Sequence, residues 1–261
     1  MIGITTTAAM SIKLSGNIRA QSTVIGGAII PLYTYPTDPT WTTIINIKDA
    51  HPEVPIVAVV NPNNGPGSVQ DVNFVNGIDQ LTLHGISVIG YAATGYGGVP
   101  WPRVERQIGL YHSWYNLDGI LFDEMNNVTG YENYYRTLNN YAKSLDLTYT
   151  IGNPGADVLP TYVGTVDTIL IYESQGLPDL SYLDGWHSSY DRNNWGITSY
   201  GNPQLDQRYV FNAKQYVGYI YITNDVLPNP YDALPPYIGT LVAELDKNNG
   251  ATGIAHSRIQ I

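Results

Sequence analysis

No cysteine occurs among the 261 residues. Disulfide staples, thiolate zinc sites and cysteine nucleophiles are therefore excluded, and either redox compartment remains open. Charge is scarce too. Asp, Glu, Lys and Arg make up 13% of the chain, about half the usual share for a soluble protein. Only twelve residues are Lys or Arg against 22 Asp or Glu, giving a formal net charge of −10. Nucleic acid is held by clustered cations on its phosphates, so it is not an expected partner. A neutral or cationic ligand suits this balance better. No apolar run approaches the roughly 20 residues of a membrane span.

Familiar catalytic signatures are missing as well. The five histidines (His51, His84, His112, His187 and His256) form no H-x-H or H-E-x-x-H pattern, which argues against a zinc site. There is no G-x-S-x-G elbow and no phosphate-binding glycine loop, so neither a serine hydrolase nor a nucleotide cofactor is indicated. A Schiff-base aldolase needs a lysine at a strand end. Lys48, Lys143, Lys214 and Lys247 fall in helical segments and Lys13 in the N-terminal stretch. No metal and no cofactor is expected. His187 reads as a surface histidine.

What the chain has instead is tyrosine, 22 of them, with abundant Asn, Thr, Ser and Gly. A surface of this kind suits neutral, hydroxyl-rich ligands, because tyrosine offers an apolar ring face and a hydrogen-bonding tip. Two short apolar runs end abruptly in acids: Gly119-Ile120-Leu121-Phe122-Asp123-Glu124 and Thr168-Ile169-Leu170-Ile171-Tyr172-Glu173. Runs this short and continuous read as strands buried on both faces of a parallel sheet. Ligands bind off the carboxyl ends of such strands, and a buried carboxylate there is either paired or chemically active. Side chains alternate along a strand, so Asp123 and Glu124 cannot both face one basin unless a bulge re-aims them.

The remaining segments alternate strand and helix. Strands are predicted at 24–32, 55–60, 87–91, 119–123, 148–152, 167–173, 195–200 and 216–223. Helical spacing runs through Tyr131, Tyr134, Tyr135, Leu138, Tyr141, Ala142 and Leu145, with Thr129 placed to cap the start. A second helix follows Pro102, and a last one through Ile238, Leu241, Val242 and Leu245 closes at Asn249-Gly250. Eight strands with intervening helices at this length predict a single-domain (β/α)₈ TIM barrel in residues 26–261, with an open doubly wound sheet as the alternative. The spacing of strands four to six makes the fifth helix short. Loops rich in Gly, Pro and Asn follow the strands, at 61–67, 90–98 and 153–155. Residues 1–25 read as an extension that makes a poor signal peptide, lacking a basic region ahead of its apolar part.

Several of these stretches carry a family likeness. Ile29-Ile30-Pro31-Leu32-Tyr33, Val57 to Pro62, Gly119 to Glu124, Gly152-Asn153-Pro154-Gly155, Tyr172-Glu173 and Asn229-Pro230-Tyr231-Asp232-Ala233-Leu234-Pro235 occur in order. They resemble the spherulin-4 (spherulation-specific family 4) proteins over about residues 26–250. The resemblance implies a (β/α)₈ barrel and kinship with glycoside hydrolases of galactosamine-containing exopolysaccharide. It also implies an acidic cluster at Asp123, Glu124 and Glu173, and an extracellular or cell-surface location. A partly deacetylated galactosamine polymer is cationic, in keeping with the acidic balance. Residues 1–25 have no counterpart in that likeness, and residues 181–201, rich in Tyr, Trp and Asn, are idiosyncratic and leave the substrate open.

The expectation is thus an endo-acting, retaining glycoside hydrolase with a polysaccharide substrate. Asp123 is the expected nucleophile and Glu173 the acid/base, with Glu124 orienting one of them or holding substrate; the exchange of roles between Asp123 and Glu124 is the alternative. Tyr33, Asn61, Tyr91, Asn153, Tyr172, Trp186 and Tyr221 are the candidate substrate contacts. The alternative is a non-catalytic glycan-binding or surface protein on the same barrel.

Overall fold

The computed structural model describes residues 24–247. Eight strands form one parallel sheet in sequential order: β1 (Ala28–Leu32), β2 (Ile56–Val60), β3 (Ser87–Ala93), β4 (Gly119–Asp123), β5 (Tyr149–Gly152), β6 (Thr168–Gln175), β7 (Trp195–Tyr200) and β8 (Tyr219–Ile222). The ends meet where Gly27 bridges Tyr219 in parallel, donating to the Gly218 carbonyl while Ile220 donates back to Gly27. The fold is a single-domain (β/α)₈ barrel. Helices α1 (Pro39–Ala50), α2 (Val72–Leu83), α3 (Trp101–Trp114), α4 (Glu132–Ser144), α5 (Leu180–Leu183), α6 (Gln207–Ala213) and α7 (Ile238–Asp246) surround it.

Alternation along each strand divides the apolar residues between two cores. Ala28, Ile30 and Leu32 pack outward under the helices, while Ile29, Val57, Val59, Ile89, Leu121, Ile151 and Leu170 fill the barrel interior. Both faces are covered, which is why the strands read as unbroken apolar runs.

The structure corrects several details. The helix expected after β5 is only a 3₁₀ turn, Pro160–Tyr162. β3 continues to Ala93, so the stretch from Gly90 begins as strand rather than loop. Thr129 does not cap α4: Tyr131 occupies the cap position without a side-chain bond, and the Glu132 carboxylate accepts from the Gly130 amide at 2.7 Å. The first-turn carboxylate thus holds the chain just before the helix, and no side chain caps the amides of the first turn. The expected N-terminal extension (all but its last two residues) and the Asn249-Gly250 helix stop lie outside the described residues.

The base of the barrel, where strands begin, is tied by buried cations. The Lys214 ammonium donates to the carbonyls of Glu244, Leu245 and Lys247 at the end of α7, where a positive charge also complements the helix dipole. Gly26 donates to Leu245, and Arg192 reaches the Ile25 carbonyl at 2.6 Å. Chain entry, β8 and α7 are thus fastened together.

One glycine sets the closest strand approach. A Cβ on Gly119 would stand 1.6 Å from the Tyr149 carbonyl oxygen, far inside any real contact. Gly119→Ala should prevent the β4–β5 pairing and leave little folded protein by circular dichroism. Gly239→Ala, in the first turn of α7 with nothing within 4 Å of the new methyl, should raise stability by about 0.5 kcal/mol in the same melts.

Candidate active site

The top inward positions of the strands converge on one basin. Continuing the interior alternation beyond Val59, Leu121 and Ile151 brings Asn61, Asp123 and Asn153 into it, with Tyr33 and Thr198 alongside. β6 reaches the same basin by a different route. Its pairing with β7 steps from Leu170–Gly196 to Tyr172–Ile197, leaving Ile171 as an extra, bulged residue. The bulge exchanges the two faces of the strand beyond it. Glu173 therefore lines the basin, and Tyr172, which strict alternation from Leu170 would aim inward, lies outside it. The basin holds about 650 Å³.

Asp123 and Glu173 face each other across a shared amide. Asn153 Nδ2 donates to Asp123 Oδ1 at 2.9 Å and to Glu173 Oε2 at 2.5 Å. Its own Oδ1 accepts the Gly155 amide at 3.0 Å, which fixes the amide with its nitrogen toward the acids. The remaining carboxylate oxygens are each taken by a tyrosine. Tyr91 donates to Asp123 Oδ2 at 2.8 Å, and Tyr231 makes a very short bond to Glu173 Oε1. Every carboxylate oxygen of the pair thus accepts a bond, as buried acids require. Since one nitrogen holds an oxygen of each acid, those oxygens are at most about 5.4 Å apart, within the spacing of retaining glycosidases.

Burial pushes the Glu173 carboxyl above its ordinary range; the Tyr231 and Asn153 bonds pull it down, and the Asp123 charge raises it again. Burial and the neighbouring carboxylates also push the Tyr91 and Tyr231 phenols well up, so both stay protonated donors. Tyr33 sits between them, edge-on to Tyr91 at 6.0 Å and to Tyr231 at 6.2 Å. The three rings make a tyrosine wall beside the acids.

Other expected site residues stand elsewhere. Glu124 is not in the basin: with φ at +50° it leaves the strand, and its Oε2 accepts the Gly95 amide at 3.1 Å, holding the loop after β3. Tyr172 packs on Tyr182 and donates to the Gly176 carbonyl. Tyr221 is 1% exposed and backs Tyr231 at 6.3 Å between ring centroids rather than facing the cavity. Trp186 stacks with His187 and Trp195 behind the rim. His187, expected at the surface, is buried, with Nε2 2.8 Å from Asp157 Oδ1, while Trp186 Nε1 donates to the other Asp157 oxygen. Together they anchor the far end of the loop that carries Asn153. Tyr33, Asn61, Tyr91 and Asn153 do line the basin.

Tyr231 is the functional residue that the strand-by-strand reading missed. It comes from the β8–α7 loop, whose residues 227–231 form one side of the basin. The available signal was its place in the Asn229–Pro235 motif after the last strand. Among the described residues, no cluster of three or more His, Asp or Glu could hold a metal, no helix is long and apolar enough to cross a membrane, and no lysine lines the basin.

The raised carboxyl has a consequence for stability. A group whose folded-state pKa lies above its unfolded value stabilises the fold when protonated, and that contribution is lost as pH rises through the folded pKa. Glu173→Gln keeps an acceptor for Asn153 and cannot ionise. Melting curves from acid to neutral pH should show the variant gaining on the wild type as pH rises above the ordinary carboxylate range. A separation that does not change with pH would contradict the burial cause. Tyr231→Phe removes a donor to the ionised form, so the Glu173 carboxyl should titrate higher still by carbon NMR.

Comparison with known proteins agrees with this architecture. The sequence profile described as spherulation-specific family 4 matches residues 27–245. Spherulin-4 of Physarum polycephalum is 32% identical over 163 residues, which span 61% of this chain and 48% of that protein. The crystal structure of Aspergillus clavatus Sph3 in complex with GalNAc superposes with a TM-score of 0.76 at 23% identity, covering 85% of this chain and 98% of the other. A barrel from Coccidioides immitis named for fructose-1,6-biphosphate aldolase superposes at 0.56 with 14% identity, covering 85% and 84%. So the same scaffold carries different names, and the site has to decide the chemistry. With its barrel matched from first strand to last helix, the chain belongs to spherulation-specific family 4.

Proposed function

We propose that this protein is an endo-acting glycoside hydrolase of a galactosamine-containing polysaccharide, working with retention of anomeric configuration. The observation that carries the proposal is the Asp123–Glu173 pair, bridged by Asn153 at the floor of an open basin. The short separation of their two nearest oxygens favours a covalent glycosyl-enzyme over direct attack by water, which needs wider-set carboxyl groups. The GalNAc complex of Sph3 supports an amino sugar as the substrate unit. A basin edged with carboxylates suits the neutral or cationic units of such a chain.

Roles follow from the surroundings of each acid. Glu173, with its carboxyl raised by burial, donates its proton to the departing glycosidic oxygen. Asp123 attacks the anomeric carbon and forms the ester bond of the intermediate. The Glu173 carboxylate then takes a proton from water as that water displaces Asp123, which restores both groups. Asn153 and Tyr91 hold Asp123 at a fixed angle, and pre-set geometry of this kind removes much of the entropic barrier. Tyr33 offers a ring face to the sugar. An extracellular or cell-surface location is part of the same proposal, since a polysaccharide of this kind is met there.

Reducing-end release from deacetylated and acetylated galactosamine polymers tests the class. Glu173→Gln and Asp123→Asn should each lower the rate by about 10²–10⁴-fold, while Glu124→Gln, outside the basin, should lower it far less. NMR of the first-formed product should show the anomer of the substrate; the opposite anomer rules out Asp123 as nucleophile. Binding of the polymer with no release by the wild type would instead establish a non-catalytic glycan-binding barrel.

A further inference from the structure

A second hollow of about 430 Å³ adjoins the basin between the β2–α2 loop and α3, and Asn64 lines both. Its α3 side is a helical stripe: Arg103, Arg106, Gln107, Leu110 and Trp114 recur at intervals of three and four. Its loop side is built rather than slack. Asn61 Oδ1 accepts the Gly65 amide at 2.9 Å, the Asn63 amide donates to the Gly65 carbonyl at 3.1 Å, and the backbone turns through positive φ at Asn64, Gly65 and Gly67. Gly65, with φ at +133°, holds a backbone conformation that other residues rarely adopt, and it faces the Gln107 amide across the hollow at ordinary contact distance.

Three features of this hollow are unusual for so acidic a chain. Two of its twelve Lys and Arg residues stand together here, and no carboxylate lines the hollow. Neither guanidinium makes an ion pair or hydrogen bond among the described residues. The Gln107 carbonyl oxygen is buried there without a partner, although buried polar atoms are normally satisfied. Trp114 and Leu110 supply an apolar floor beside these polar groups.

We propose that this hollow is a subsite for an acidic sugar, a glycuronic acid unit of the same polysaccharide lying beyond the cleaved linkage. A planar guanidinium matches a carboxylate with two parallel bonds, and a pair of them three residues apart can grip one from two sides. The Gln107 oxygen accepts from a ring hydroxyl, and the indole face of Trp114 takes the apolar face of the ring. Because Asn64 borders both hollows, one extended chain passes from the acids to the arginines. Polyanions such as nucleic acid remain unsuited, since the net charge of −10 repels them; an isolated carboxylate among neutral or cationic units does not meet that barrier. The substrate becomes a mixed polymer, with an amino sugar at the acids and a uronic acid at the arginines.

This inference rests on the basin accepting a glycan, and binding rather than turnover tests it. Methyl galacturonoside, which carries a single carboxylate, and its methyl ester are titrated by calorimetry at low ionic strength into the wild type, Arg103→Gln/Arg106→Gln and Gln107→Leu. An N-acetylgalactosamine tetramer, titrated alongside, reports on the basin alone. Both arginines are exposed on a helix and Gln retains helix propensity, so the double variant should melt with the wild type. The acid should bind the wild type at least about tenfold more tightly than the ester, and the double variant should lose that advantage. Gln107→Leu should weaken both forms, and added salt should weaken only the acid. Equal binding of acid and ester, or undiminished acid binding in the double variant, would overturn the subsite. Failure of the N-acetylgalactosamine tetramer to bind would count against the hydrolase reading and not against this one.

Discussion

The site depends on holding two carboxyl groups side by side where each is only partly open to water. Like charges at this separation raise each other's cost of ionisation, and burial adds to it. The protein answers with the Asn153 amide, which gives one hydrogen to each acid, and with a tyrosine on each outer oxygen. These donors are neutral. A lysine in the place of Asn153 would add a positive charge between the acids and favour the ionised form of Glu173. The amide draws that carboxyl down only in part, and burial still leaves it above its ordinary range. Much of the rim architecture serves that amide. Gly155 turns under it to donate to Asn153 and to accept the Glu173 backbone amide, while Asp157, held by His187 and Trp186, pins the next stretch of the loop.

The scarcity of charge follows from the same arrangement. Tyrosine supplies the donors that lysine and arginine supply elsewhere, and it supplies ring faces too. Tyr91, Tyr33 and Tyr231 run edge to face around the acids, in the geometry aromatic pairs prefer. Exposed rings at Tyr96 and Trp101 extend the aromatic character along the rim. Strong cations are mostly placed away from the basin: Lys48 and Lys214 serve backbone carbonyls, and Arg192 ties the chain entry at the base.

The barrel was legible in the sequence because a sheet covered on both faces needs continuous apolar runs, and these stand out in a chain rich in polar residues. Even β7, with its mixed sequence, runs over the expected Trp195 to Tyr200. Asp123 could be placed by counting, since β4 is regular to its end. Glu173 reaches the basin for a reason the sequence does not display. Counting from Leu170 sends it to the wrong face and brings Tyr172 in, and only the extra residue at Ile171 reverses this. Tyr172 was expected in the basin as the neighbour of Glu173, and the bulge leaves the two on opposite faces. Trp186 and Tyr221 were misplaced for a different reason: large aromatics near a rim are as useful behind the wall as in it, and composition cannot tell the two apart. Tyr231 lies beyond the last strand, where no periodicity marks which residue of a long loop folds inward.

The fastening of Gly26, Lys214 and Leu245 gives the molecule a polarity. Both described ends of the chain leave from one pole, and the acids open at the other. Force entering at Gly26 or Leu245 is therefore taken up at the base of the strands, and it must cross the whole barrel before it can disturb the spacing of the acids.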